Sequence, residues 1–223
     1  NAEESERVPK EHLEFMLSKC GGDRNHDYYR VCVLGDAPSG DENSYILYKW
    51  IMDSVERHAG RDVPVTGVRV AGLDVGGTSD PSSYVELCGN WVSNFTNYNE
   101  PSHLTLAEKV SVMYKESRCN AIAVDANGLG YDVPELLRKY GVLVYPVKAQ
   151  DGSPDVAYER MRDYLIGVLK KRLEEGTIDI PNDPDLILEL ATVSAGISDR
   201  TGRIKISKKS DMKKAISKVR DAG

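Results

Sequence analysis

Two apolar runs, each closing on an aspartate, constrain this chain more than any other feature. VRVAGLDV (68–75) and AIAVDANG (121–128) are nearly continuous in apolar and small residues and end on Asp74 and Asp125. VRVAGLDV reads as a buried strand, and the nearly all-apolar AIAVDANG as a strand covered on both faces in the middle of a sheet. Between them, SSYVELCGN (82–90) and NWVSNFTNY (90–98) read as strands, with GGTSDP as a tight hairpin connection. A helix then spans about Leu104 to Glu116, capped by Ser102 or Thr105, with Leu106, Val110, Val112 and Met113 supplying apolar contacts.

Beyond Asp125, VPELLRKYG (133–141) carries proline near its start and glycine past its end, as a short helix does, and strand VLVYPV (142–147) follows. SPDVAYERMRDYLIGVLKKRLEEG is the longest predicted helix, with Met161, Leu165, Val168, Leu169 and Leu173 facing inward. TIDIP reads as a strand, DPDLILELATV as a helix, RIKIS as a strand and SDMKKAISKVRDA as a basic helix. Strands and helices in the order βββαβαβα predict an α/β domain over residues 65–223. Its expected architecture is a ribonuclease-H-like fold, a mixed central sheet with helices on both faces. Residues 1–64 read as a separate linker or appendage: a helix around Lys10 to Lys19, strand-like YYRVCVLG (28–35), a polar loop, and a helix from about Ile46 to His58 with Ile46, Trp50, Ile51 and Val55 on one face.

Composition narrows the chemistry. At 223 residues the chain buries one good core. No apolar run is long enough to span a bilayer, and NAEESERVPK lacks targeting character, so an intracellular protein without membrane contact is expected. Cys20, Cys32, Cys88 and Cys119 show no zinc spacing and read as reduced, packed thiols; His12, His26, His58 and His103 form no metal motif. Hard chemistry here falls to carboxylates. The net charge of −6 argues against indiscriminate nucleic-acid binding, yet Arg203, Lys205, Lys208, Lys209, Lys213, Lys214, Lys218 and Arg220 crowd one end against Asp211. That end is able to face phosphates, although a solvated helix face is the ordinary meaning of such a run.

In the expected sheet the strands ending at Asp74 and Asp125 lie side by side. Two carboxylates brought together repel unless protonated or bridged by cations, and hard divalent ions with oxygen ligands resolve that conflict. The chemistry that follows is two-metal phosphodiester cleavage, with Asp74 bridging two Mg2+ or Mn2+ ions and Asp125 holding one. Gly76 and Gly77 let a phosphate approach the hairpin, and Asp80 offers a further carboxylate. The plainer alternative is that each aspartate starts a turn, a reading at least as apt for Asp80 in its Ser-Asp-Pro context.

GLDVGGTSDPSSYVEL, AIAVDANGLGYDVPELLRKYGVLVYPV, RMRDYLIGVLKKRLEEGTIDIPNDPDLILELATV and RIKISKKSDMKK, taken in order, resemble the nuclease domain of the large terminase subunit of tailed double-stranded DNA bacteriophages. YYRVCVLGDAPSGDENSYILYKWI resembles the segment joining that nuclease to the packaging motor. The resemblance implies a metal-dependent endonuclease that cuts concatemeric viral DNA in the cytoplasm of an infected bacterium. The partners it implies are the ATPase motor, small terminase subunit and portal. By position, Asp74 and Asp125 match the family's first two metal-binding acids and Asp80 an acid of the same loop. The family's third acid follows the basic stretch. Here the sequence reaches KKAISKVRDAG, so that acid is expected beyond Gly223, with Asp221 as the substitute, and cutting is expected to be impaired. Lys148, Lys208, Lys209, Lys213 and Lys214 are the expected DNA-phosphate contacts, and the tyrosines read as packing residues rather than a stacking platform. No G-x-x-x-x-G-K-[ST] segment is present, so the motor itself lies outside this chain and the isolated domain is expected to be a monomer.

Three rivals stand beside this reading. DVGGT is close to the phosphate hairpin of actin-like ATP-dependent sugar kinases, but VDANGLG is an imperfect second loop and too few residues follow for a second lobe. A Holliday-junction resolvase shares the acids and fold. A DNA-binding module without cleavage keeps the fold and loses the chemistry.

Overall fold

The computed structural model describes residues 3, 8–20, 22–24, 29–36, 44–60, 67–77, 80–127 and 131–207. Its centre is a five-stranded mixed sheet made by β1 (Arg69–Asp74), β2 (Ser82–Cys88), β3 (Trp91–Tyr98), β4 (Ala121–Asp125) and β5 (Val144–Val147), in the spatial order β3-β2-β1-β4-β5. The first three strands form an antiparallel meander, while β1, β4 and β5 run parallel. Parallel neighbours need crossover connections, which two helices supply: His103–Glu116 between β3 and β4, and Val133–Lys139 between β4 and β5.

In chain order the helices are α1 (Lys10–Lys19), a π-helical turn α2 (Arg30–Leu34), α3 (Tyr48–Ala59), α4 (His103–Glu116), α5 (Val133–Lys139), α6 (Met161–Glu174) and α7 (Pro184–Ala191). The Ser102 side chain accepts from Thr105 N and caps α4, while Asp183 accepts from Leu186 N and caps α7. One face of the sheet, through Ala71, Leu73, Tyr84, Ile122, Val124 and Val144, packs on Leu106, Ala107 and Val110 of α4 and Val133 and Leu137 of α5. On the other side α3, α6 and α7 meet β3 around Ile51, Val55, Val92, Leu173, Ile178, Ile187 and Leu190. Helices on both faces of a mixed sheet are the ribonuclease-H-like arrangement expected from element order.

Several local expectations change. Of YYRVCVLG, the described residues 29–35 are not extended: Tyr29 precedes the π turn, and Gly35 ends it in the left-handed region. Tyr29 and Val33 pack instead on Met16 and Cys20 in a small cluster of their own. TIDIP makes a single parallel bridge, Asp179 to Trp91, rather than a strand. In α6, Leu165 and Val168 are exposed, and the inward contacts come from Ile166, Leu169 and Leu173. Val112 of α4 is likewise exposed.

The segment Ser44–Gly60, inside the region read as an appendage, shares its core with the sheet domain. Tyr45 N donates to Val193 O at 2.8 Å, and Ser54 Oγ donates to Ile178 O at 2.8 Å while accepting from Ile180 N at 3.2 Å. The Arg57 guanidinium pairs with buried Asp179 at 2.8 Å, and His58 stacks on Trp91 with ring centroids 4.3 Å apart. Cys20, Cys88 and Cys119 are buried.

The remaining pair, β6 (Ala195–Ile197) and β7 (Ile204–Ile206), forms an antiparallel hairpin outside the main sheet. It lies against the segment leading into α6 through a parallel bridge from Tyr158 to Ile204. This hairpin supplies one wall of the site.

Candidate functional site

Asp74 and Asp125 are the last residues of β1 and β4, one step beyond the parallel pair Leu73↔Val124. Strand geometry therefore delivers both carboxylates to the same end of the sheet, on neighbouring strands. They line one pocket of about 500 Å3 together with Asn127, Ala149, Gln150, Arg160, Arg162, Asp163, Lys205 and Ile206. An apolar groove of about 340 Å3, walled by Gly72, Phe95, Val147 and Leu165 among others, opens on the same two acids.

Asp125 is held by its own turn. Asn127 donates to Asp125 Oδ1 twice, from its backbone N at 3.1 Å and its side chain Nδ2 at 2.9 Å. The second carboxylate oxygen remains available as a ligand. Asp74 is exposed at the rim. The loop after it turns tightly because Gly76 has no side chain: a Cβ there would lie 2.2 Å from Asp80 O and 2.5 Å from the Pro81 carbonyl. Gly76 N donates to Ser82 Oγ at 2.9 Å, which fastens the loop to the start of β2. The Asp80 backbone oxygen lies against Gly76, and Asp80 is not among the residues lining the pocket.

The pocket carries both signs of charge. Arg160 donates to Gln150 Oε1, while the Arg162 guanidinium donates to Ser207 O at 2.9 Å and Ile206 O at 3.4 Å. Lys205 lies 3.6 Å from Glu159, whose carboxyl is held below its usual range chiefly by the Arg200 guanidinium, with Lys205 adding to the effect. Asp163 is a third acid in the lining, but it is 3 % exposed and both of its oxygens accept backbone bonds, from Arg160 N at 3.1 Å and Ile206 N at 3.0 Å. Among the described residues no group of three His, Cys, Asp or Glu side chains is arranged to hold a metal ion. Two carboxylates at adjacent strand ends, with oxygen donors only, nevertheless suit a hard divalent cation better than a soft one.

Lys148 is exposed immediately after β5, and the turn it begins offers Ala149 and Gln150 to the pocket. Lys208, Lys209, Lys213, Lys214 and Asp221 lie outside the described residues. Arg160, Arg162, Asp163 and Asn127 were not singled out from sequence. Asn127 was findable, since an Asn two residues past a strand-ending Asp is an ordinary turn partner. The arginines were not, because they reach the pocket only through the packing of α6 against the β6–β7 hairpin.

No protein-family model and no curated protein matches this sequence. Solved structures do match. The nuclease domain of the large terminase subunit of bacterial virus Sf6 superposes with a TM-score of 0.65 at 15% identity, covering 80% of this chain and 96% of that domain. The large terminase nuclease of thermophilic phage G20c gives 0.55 at 17% identity, covering 67% of this chain and 76% of that one. The fold is that of the large-terminase nuclease domains. Structures of the Sf6 domain include manganese and calcium forms, and those of the G20c nuclease include magnesium and cobalt forms.

Proposed function

We propose that this chain is the nuclease domain of a viral DNA-packaging terminase, a divalent-metal-dependent endodeoxyribonuclease that cuts concatemeric double-stranded DNA. The observation that carries the reading is the arrival of Asp74 and Asp125 at the ends of adjacent parallel strands in one pocket edged by cationic side chains. The terminase-nuclease fold supports it. Asp74 and Asp125 are the residues to hold Mg2+ or Mn2+, two ions in the full site. Bound there, divalent ions lower the pKa of water and neutralise charge on the leaving oxygen.

The chain's own residues do the rest. Asn127 fixes the orientation of Asp125 through two bonds to one oxygen. Gly76, two residues past Asp74, lets the chain pass close to the Asp80 and Pro81 backbone. Arg160 and Lys205 offer positive charge to backbone phosphates, giving binding that is sequence-independent and salt-dependent. Lys148, Lys208, Lys209, Lys213 and Lys214 are proposed for the same role. Asp80 is the weakest member of the proposed acid set, since it is not among the residues lining the pocket with Asp74 and Asp125. The ATPase motor, small terminase subunit and portal are the partners that go with this reading, in the host cytoplasm.

A second reading, a DNA-binding module that does not cut, draws on Asp163, the third acid of the pocket, both of whose oxygens accept backbone hydrogen bonds. Incubation with supercoiled plasmid and Mn2+ separates the two. The nuclease reading expects nicking that falls by about 10³-fold in Asp74→Ala, the loss of several kcal/mol of charge stabilisation. Salt-sensitive DNA retention without nicking supports the binding module, and neither activity overturns both.

A further inference from the structure

We infer that Asp163 is a positioning residue that sets the cationic wall of the site opposite Asp74 and Asp125; the inference rests on the nuclease reading. The β6–β7 hairpin is not part of the main sheet, so something must fix where β7 stands relative to the acids. Backbone pairing does half of this. Ile204 N donates to Ala157 O at 2.8 Å and Glu159 N donates to Ile204 O at 3.0 Å. There the chain turns into α6, and backbone pairing stops.

Asp163 takes over at that point. One carboxylate oxygen accepts from Ile206 N, the next inward-facing amide of β7, and the other accepts from Arg160 N at the start of α6. Ile206 is 2 % exposed, so without this acceptor its amide would be a buried, unsatisfied donor. Arg162 completes the junction from the other side by donating to the carbonyls of Ile206 and Ser207. The two residues that this junction orients, Arg160 and Lys205, are the exposed cations of the pocket. A neighbouring feature shows that the segment is built to be held: Gly167 of α6 lies so close to Tyr158 that a Cβ would fall 2.2 Å from its hydroxyl. A glycine inside a helix costs about 1 kcal/mol, and here it admits the ring that seats the strip beneath β7.

The role is distinct from metal ligation and from simple stability, and the experiment separates the three. Amide exchange, Mn2+ affinity by calorimetry, and DNA affinity as a function of salt in Ca2+ are measured for the wild type and Asp163→Asn, whose amide keeps one acceptor and turns a donor toward the second N–H. Expected are faster exchange at Ile206, unchanged Mn2+ affinity, and a salt slope shallower by about 2, one for each of the Arg160 and Lys205 phosphate contacts. Adding Arg160→Gln and Lys205→Gln to Asp163→Asn is expected to change the slope no further, whereas in the wild type the same pair lowers it by about 2. Arg162→Gln serves as a second variant at a partly buried position. It is expected to lower the slope by more than the about 1 that removal of a single charge explains.

A slope that is unchanged in Asp163→Asn, or additive losses, overturns the inference. Loss of Mn2+ binding in Asp163→Asn also overturns it, by making the residue a ligand. A wild-type chain that neither retains nor cuts DNA overturns the nuclease reading itself. DNA cutting by a wild type whose Asp163→Asn variant keeps the full slope defeats the positioning role alone.

Discussion

Single side chains in this protein do their work by meeting backbone or charge at points where the fold offers no other partner. Asn127 and Asp163 are the clearest cases, each closing a hydrogen-bonding account that strand pairing leaves open. Glu86 is a third, inside β2 and 2 % exposed. Burial works against its charged form, but hydrogen bonds from Ser117, Ser93, Tyr84 and Arg69 outweigh that and hold the carboxyl below its usual range. Among these, Ser93 Oγ donates at 2.8 Å, Tyr84 Oη at 3.1 Å and the Arg69 guanidinium at 3.2 Å. A group depressed in the folded state stabilises the fold above the unfolded carboxylate range, about pH 4.3, and that contribution is lost as the pH falls through the folded value. Thermal unfolding followed from about pH 6 to pH 3 is therefore expected to show a fall in Tm with acidification that is flatter in Glu86→Gln. The variant should also start lower at neutral pH, because Arg69 loses its anionic partner. Equal slopes in the two proteins would mean that other carboxylates carry the acid sensitivity.

At the level of elements, α3 has the least obvious job, since its sequence reads as part of an appendage and its packing makes it part of the domain. The buried contact between Arg57 and Asp179 ties it to the segment that bridges to β3, with Asp179 side chain 2 % exposed and Arg57 28 %. Removing one partner of such a pair leaves the other poorly compensated, so Asp179→Ala is expected to cost about 3 kcal/mol in denaturant unfolding, against less than about 1 kcal/mol for the exposed pair partner Glu135→Ala. A loss from Asp179→Ala no larger than from Glu135→Ala would show that α3 is only loosely attached. The order of strands and helices from β1 to α6 was legible because apolar periodicity and terminal glycine, proline and serine signals act locally, as at Ser102, Pro134 and Gly141. TIDIP was not legible as a bridge, because β-rich residues such as Ile178 and Ile180 pack inward there without a strand partner over their length. YYRVCVLG failed for a related reason: its alternation fits a strand, but Tyr29 and Val33, four residues apart, pack on α1 instead. At the site, the two acids could be read from strand-end positions, whereas the cationic wall depends on a tertiary junction that no local pattern encodes.

Across the whole molecule, the sheet, its helices and the β6–β7 hairpin converge on one pocket in which acids from the sheet face cations from the flank. The sheet brings Asp74 and Asp125 to one end, and the hairpin and the start of α6 bring Arg160 and Lys205 to the same pocket. The proposed function rests on Asp74 and Asp125, at the ends of neighbouring strands, holding a divalent cation. The most direct test is a calorimetric titration of the chain with Mn2+, comparing the wild type with Asp74→Asn and Asp125→Asn. The account predicts saturable binding to the wild type that weakens by at least about tenfold in each variant while thermal unfolding stays cooperative. Binding of equal strength in all three proteins would contradict it.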